Sequence, residues 1–170
     1  MPDGRLLAIY LNDHLGGATL GVELTKRGLR SNRGTDFGTF LGHLLVEIEE
    51  DKRSLEEVME GLGVKKSTFK PPIAVIAERL GRLKLNGQLT GYSPLSRVLE
   101  LEGLTMGVHA KLSLWRNLRD ATPVPTRVPG VDLDALIARA EAQLERLEER
   151  RSVAAERAFA TGRGASTAAG

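Results

Sequence analysis

Cysteine is absent from the 170 residues. There is therefore no disulfide framework, no thiolate zinc site, no iron–sulfur ligation and no cysteine nucleophile, which fits a reducing compartment. Aromatic residues make up only 4% of the chain, too few to build the stacking platform of a single-strand nucleic-acid binder. An excess of charge of one sign is also missing: 24 basic against 22 acidic residues leave a formal charge of +2, a weak field for nucleic acid. Long apolar runs are missing as well. The longest candidate near the start, Leu6 to Leu11, is too short for a secretory core, and nothing approaches the roughly 18 residues of a membrane span. A cytoplasmic protein with no membrane segment and no nucleic-acid partner is the expectation.

What the chain has is helical periodicity. A length of 170 residues suits one domain that buries its own core. Leu7, Leu11, Leu15, Ala18, Val22 and Leu29 predict a first helix over about 6–30, stopped at Gly34. Thr35 or Asp36 caps a second helix that runs to Leu62 before Gly63. Its stripe is Phe37, Leu41, Leu44, Ile48, Asp51, Leu55, Val58 and Leu62, with one acid among apolar residues. Ser67 or Thr68 opens a third helix, with Pro71 and Pro72 in its first turn and Asn86-Gly87 at its end. After a loop over 88–92, Ser93-Pro94 starts a fourth helix reaching about Arg119. That helix is apolar around much of its circumference, which implies contacts on more than one side.

The stretch 122–130, TPVPTRVPG, reads as an extended proline-rich linker. A fifth, amphipathic helix follows within 131–160, with Leu133, Leu136, Ile137, Ala140, Leu144 and Leu147 on one side, laid on a bundle or paired with another subunit. The tail over 161–170 has too little apolar surface to order itself. No segment alternates with the period of a strand. The expected fold is all-α: an up-and-down four-helix bundle over 1–121 with an additional C-terminal helix.

Asp51 is the most informative single residue, because a carboxylate on an apolar stripe costs several kcal/mol to desolvate unless it is paired. His14 on the first helix and His109 on the fourth are candidate partners; Glu102 shares a face with His109, two turns away. The plainer reading is a buried ion pair or hydrogen bond that fixes helix register, and the sharper one is catalysis or a metal site. His43 and Glu47, with Glu50 or Asp51, form a second possible ligand pair at helical spacing, though a solvated face is the favoured account of them, and Glu78 is as ambiguous. Gly17 and Gly21, Gly38 and Gly42, and Gly103 and Gly107 each sit four apart inside helices, where glycine costs about 1 kcal/mol against alanine. Close approach between helices is the favoured compensation; space for an elongated apolar ligand is the alternative. The basic positions Arg79, Arg82, Lys84, Arg116 and Arg119 gather near helix ends, where helix-dipole pairing and solubility account for them and contact with the phosphates of a nucleic acid is the less favoured alternative.

The segment EIEEDKRSLEEVMEGLG, Glu47 to Gly63, resembles the second helix of ferritin-like four-helix proteins, and YLNDHLGGATLGVEL, Tyr10 to Leu24, is similar to the first helix of bacterial stress-associated members of that superfamily. The resemblance spans about residues 5 to 120. It implies an inward-facing carboxylate–histidine centre for iron or manganese, for which Asp51, Glu47, Glu102, His109 and His14 are the candidates. The paired Glu-x-x-His motifs of that superfamily are missing, since Glu47 is followed by Glu50 and Glu102 by Thr105. The leading expectation is thus a helical-bundle protein without a cofactor that acts through a protein partner or self-association as a homo-oligomer. A ferritin-like metal-binding protein or oxidoreductase is the alternative.

Overall fold

The computed structural model describes residues 4–67 and 93–160, all of whose regular structure is helical. The helices are α1 (Gly4–Ser31), α2 (Asp36–Gly61), α3 (Pro94–Ala121), the single turn α4 (Val124–Arg127) and α5 (Leu133–Phe159). None is long and apolar enough to cross a membrane. The expected third helix, with Glu78, Arg79, Arg82 and Lys84, lies outside the described residues, as do the loop over 88–92 and the tail.

The reversal between α1 and α2 is built from small and polar residues. Gly34 takes a φ of 77°, the left-handed region that favours glycine. Thr35 Oγ1 accepts from the Gly38 amide at 3.1 Å and donates to the Asn32 carbonyl at 2.8 Å, so one hydroxyl caps α2 and ties it to the end of α1. A Cβ on Gly38 would fall 2.1 Å from that carbonyl oxygen, which explains glycine there. At the far end of α2, the amides of Gly63 and Val64 bond to the carbonyls of Glu60 and Met59, a Schellman closure with Gly63 at a φ of 68°.

Ser93 caps α3 by accepting from the Ser96 amide, with Pro94 in the first turn, as the Ser-Pro pair indicates. The connector after it departs from an extended form. Thr122 Oγ1 accepts from the Val124 amide, Val128 bonds back to Val124, and one helical turn forms because the prolines fall where no amide is required. Burial of Val124, Val128 and Val131 holds this turn against the core. Asp132 then caps α5 through the Ala135 amide.

Cross-helix pairs give the directions. Lys26 with Glu49, and Asn12 with Ser67, run α1 antiparallel to α2. Asn32 with Arg97, and Tyr10 with Asn117, run it antiparallel to α3. Arg116 with Glu141, and Arg119 with Asp134, set α3 antiparallel to α5. Glu47 with Arg146, and Glu50 with Arg139, set α2 antiparallel to α5. Helices α2 and α3 therefore run parallel across the core, although they follow one another among the described elements. Backbones approach closely between α3 and α5 and between α1 and α2, less closely between α1 and α3, whereas α2 meets α5 chiefly through long side chains. The breadth of apolar residues on α3 is accounted for by its position between α1 and α5. The stripe of α5 is also spent within the chain: Ala140, Gln143 and Leu147 are completely buried.

Candidate functional site

A polar layer crosses the middle of the core. Asp51 is 3% exposed, on the stripe of α2 that runs Leu44, Ile48, Asp51, Leu55, Val58. Its Oδ2 receives the Lys111 ammonium and, at 3.3 Å, the Gln143 amide; the Arg139 guanidinium stands 2.7 Å from Oδ1, an ion contact off the line of a hydrogen bond. Lys111 also donates to Gln143 Oε1. Gln143 Nε2 donates to Glu47 at 2.9 Å, Arg146 bonds the same carboxylate at 2.7 Å, and Arg139 reaches Glu50 at 2.9 Å. A lone buried carboxylate costs several kcal/mol, and here two cations and an amide compensate it.

The electrostatics follow from these contacts. Burial pushes the Lys111 ammonium below its ordinary value of 10.5, and the charge of and hydrogen bond to Asp51 oppose that push without cancelling it. Burial draws the Glu47 carboxyl upward, but hydrogen bonds from Arg146 and Gln143, with the charges of Arg146 and Arg139, outweigh it and hold Glu47 below its ordinary 4.5.

Beside this layer a cavity of 570 Å³ opens among α1, α2 and α3. It exists because the facing surfaces of α1 and α3 are nearly bare: Gly17, Ala18 and Gly21 oppose Gly103, Gly107 and Ala110. A Cβ added to Gly17, Gly21 or Gly107 would meet nothing within 4 Å, and one on Gly103 would only touch Leu24 at an ordinary 3.4 Å. Close helix approach, the expectation from spacing, is thus not realised in these two pairs, and at Gly38 the close contact is with the turn at Asn32. Gly42 likewise faces open space. Asn117 donating to Tyr10 Oη at 3.0 Å bridges α1 and α3 at one end of their seam, and Arg97 donating to Asn32 at 2.7 Å bridges them at the other. Between the bridges the seam stays parted.

The cavity wall is apolar along Leu24, Ile48, Leu55, Leu104 and Val108, and charged where Asp13, Asp51, Lys52 and Lys111 meet it, with the Trp115 indole set into it. Trp115 is 1% exposed, and its Nε1–H has no hydrogen-bond partner among the described residues. Such a buried orphan donor costs about 1–3 kcal/mol. His14 borders the same space, edge-on to Tyr10 with ring centres 4.5 Å apart. Burial holds its imidazole below 6.5 despite the opposing charge of Asp13.

Of the residues singled out by sequence, Asp51 and Glu47 share Gln143 as a partner, and His14 faces the cavity. Glu102, His109 and His43 are exposed. His109 does not reach Asp51, because the inward stripe of α3 runs Leu104, Val108, Lys111, Trp115, Leu118 and leaves residue 109 on the outer side. Among the described residues no group of three or more His, Asp or Glu side chains is placed to hold a metal ion. The cations Lys111, Arg139 and Arg146 stand where a metal would need the carboxylates of Asp51 and Glu47. The donor set does not fit an iron or manganese centre.

Sequence reasoning missed Lys111, Gln143 and Glu100. All three lie at stripe spacing: Gln143 between Ala140 and Leu147, Lys111 between Val108 and Trp115, and Glu100, 3% exposed beside Arg27 at 3.4 Å, four residues before Leu104. Extending the stripes through polar residues, as for Asp51, would have found them. No family model matches the chain, and comparisons with curated proteins and with solved structures likewise give no match.

Proposed function

We propose that this protein is a four-helix bundle that encloses an elongated, largely apolar small molecule between α1, α2 and α3. The observation that carries the reading is the glycine-lined cavity. Four helix-interior glycines, each unfavourable by about 1 kcal/mol, line a space that an alanine methyl could occupy at three of them without contact. A helix interface optimised for stability alone would fill that space. At 570 Å³ the cavity falls in the size range of small-molecule sites, about 300–1,000 Å³, and it combines apolar walls with a few converging polar groups.

The helix directions support a ferritin-like arrangement, in which two antiparallel hairpins, α1 with α2 and α3 with α5, are joined so that α2 and α3 run parallel. Its metal chemistry draws no support from the residues present.

The test is calorimetric titration of the full chain with linear amphiphiles of increasing length. Affinity should rise about fourfold per added methylene, the equivalent of about 0.8 kcal/mol, until the cavity is filled. Affinity independent of chain length would overturn the reading. A second reading, contact between copies, is supported by the exposed Leu6 and Ile9 on one side of α1. Light scattering on the full chain and on a Leu6→Gln/Ile9→Gln variant tests it: an oligomer lost in the variant is expected, and a monomer at high concentration in both contradicts it.

A further inference from the structure

Two donors one turn apart, one of them without a partner, mark the polar end of the cavity. Resting on the proposed enclosure of an apolar chain, we propose that the ligand ends in an ionised carboxylate, received by the Trp115 indole N–H and the Lys111 ammonium.

An ammonium has three N–H donors, and the bonds of Lys111 to Asp51 and Gln143 use two. Trp115 has one donor and no acceptor in the folded chain. Residues 111 and 115 are one turn apart on α3, so their side chains share a face, and both line the cavity. Two donors one turn apart match a group with two acceptor oxygens. Of the acceptors nearby, Asp51 Oδ2 is taken by Lys111 and Gln143 and Gln143 Oε1 by Lys111, while Asp51 Oδ1 accepts no hydrogen bond and is met by the Arg139 charge.

The buried acid does not stand against an anion. Asp51, with one negative charge, faces both Lys111 and Arg139, and Arg139 is shared with the half-exposed Glu50. The buried Asp51 is therefore compensated before any ligand arrives, and the charged residues lining the cavity balance, Asp13 and Asp51 against Lys52 and Lys111. A cationic head would face the Lys111 ammonium, with Asp51 Oδ1, itself beside Arg139, as its nearest open acceptor. A neutral hydroxyl could satisfy the indole donor, with a weaker bond than a charged oxygen forms.

The experiment holds the tail constant and varies the head, titrating the full chain with dodecanoate, dodecanol and dodecyltrimethylammonium below their micellar concentrations. Dodecanoate should bind about tenfold or more tightly than dodecanol, with dodecyltrimethylammonium weakest. Equal affinities for all three would overturn the carboxylate assignment and leave the enclosure of an apolar chain standing; no binding of any would remove both. Trp115→Phe keeps an aromatic ring in the wall and removes the donor. It should weaken dodecanoate about tenfold and dodecanol by less, so that the preference between them falls severalfold. An unchanged preference would exclude Trp115. Because the chain has a single tryptophan, its one indole N–H resonance gives a second readout that needs no variant. It should move downfield more with dodecanoate than with dodecanol, and an unmoved resonance at saturation would overturn the assignment.

Discussion

Alanine substitution of glycines should change stability in opposite directions depending on where the glycine sits. At Gly17, Gly21 and Gly107 the new methyl group meets no atom within 4 Å, so only the backbone term remains. That term favours alanine by about 0.5–1 kcal/mol in a helix interior, through reduced freedom of the unfolded chain and higher helix propensity. The triple variant should therefore gain about 2 kcal/mol, or about 4–8 °C in Tm at this chain size. Gly38 is the contrast: its Cβ would fall 2.1 Å from the Asn32 carbonyl oxygen, a backbone atom of the turn that Thr35 holds. Gly38→Ala must reshape that turn and should lose about 2–3 kcal/mol. Urea unfolding followed by circular dichroism measures both, with an unchanged slope showing that two-state behaviour persists. Loss of about 1 kcal/mol or more in Gly17→Ala, Gly21→Ala or Gly107→Ala would show that the α1/α3 seam is closed there and that the cavity reasoning is wrong.

The buried charge layer and the cavity histidine give two further expectations. Asp51→Leu strands Lys111 beside Arg139 and should cost about 3–5 kcal/mol, whereas Asp51→Leu/Lys111→Leu should recover most of the loss, since Arg139 keeps Glu50; a double-mutant cycle in urea checks the coupling, and additive losses would refute it. The folded imidazole of His14 titrates below 6.5, so between its folded midpoint and 6.5 the unfolded chain binds more protons and stability rises with pH; below that midpoint the full cost of charging a half-buried ring is present. Unfolding free energies measured from pH 7.5 down to pH 5 should fall through that window, by less in His14→Gln, and an identical decline in the variant would show that His14 does not contribute.

The helix ends were legible because each carries its own chemistry. Ser93-Pro94, Thr35 and Gly63 act where the sequence places them, through bonds that span three to five residues. The α2 stripe was legible for the same local reason, and it identified Asp51 as buried. What spacing along one helix does not contain is the identity of the group on the next. The partners of Asp51 come from residues 60 and 88 or more positions away, and a lysine, an arginine and a glutamine met it where histidines were expected. The glycine pairs were visible as anomalies, but whether two bare surfaces touch or part depends on the bridges at the seam ends, Tyr10 to Asn117 and Asn32 to Arg97. The linker turn was misread because three prolines suggest extension, while the valines between them bury against the core.

The most direct measurement is the emission of Trp115, the single tryptophan, during titration with a chain-brominated fatty acid, whose heavy atom quenches only at contact. Saturable quenching in the unmodified protein, lost when Gly21→Leu and Gly107→Leu fill the space between α1 and α3, is the expected result. Emission that stays constant with the unmodified protein, or quenching that persists undiminished in the filled variant, would contradict a chain bound in the glycine-lined cavity.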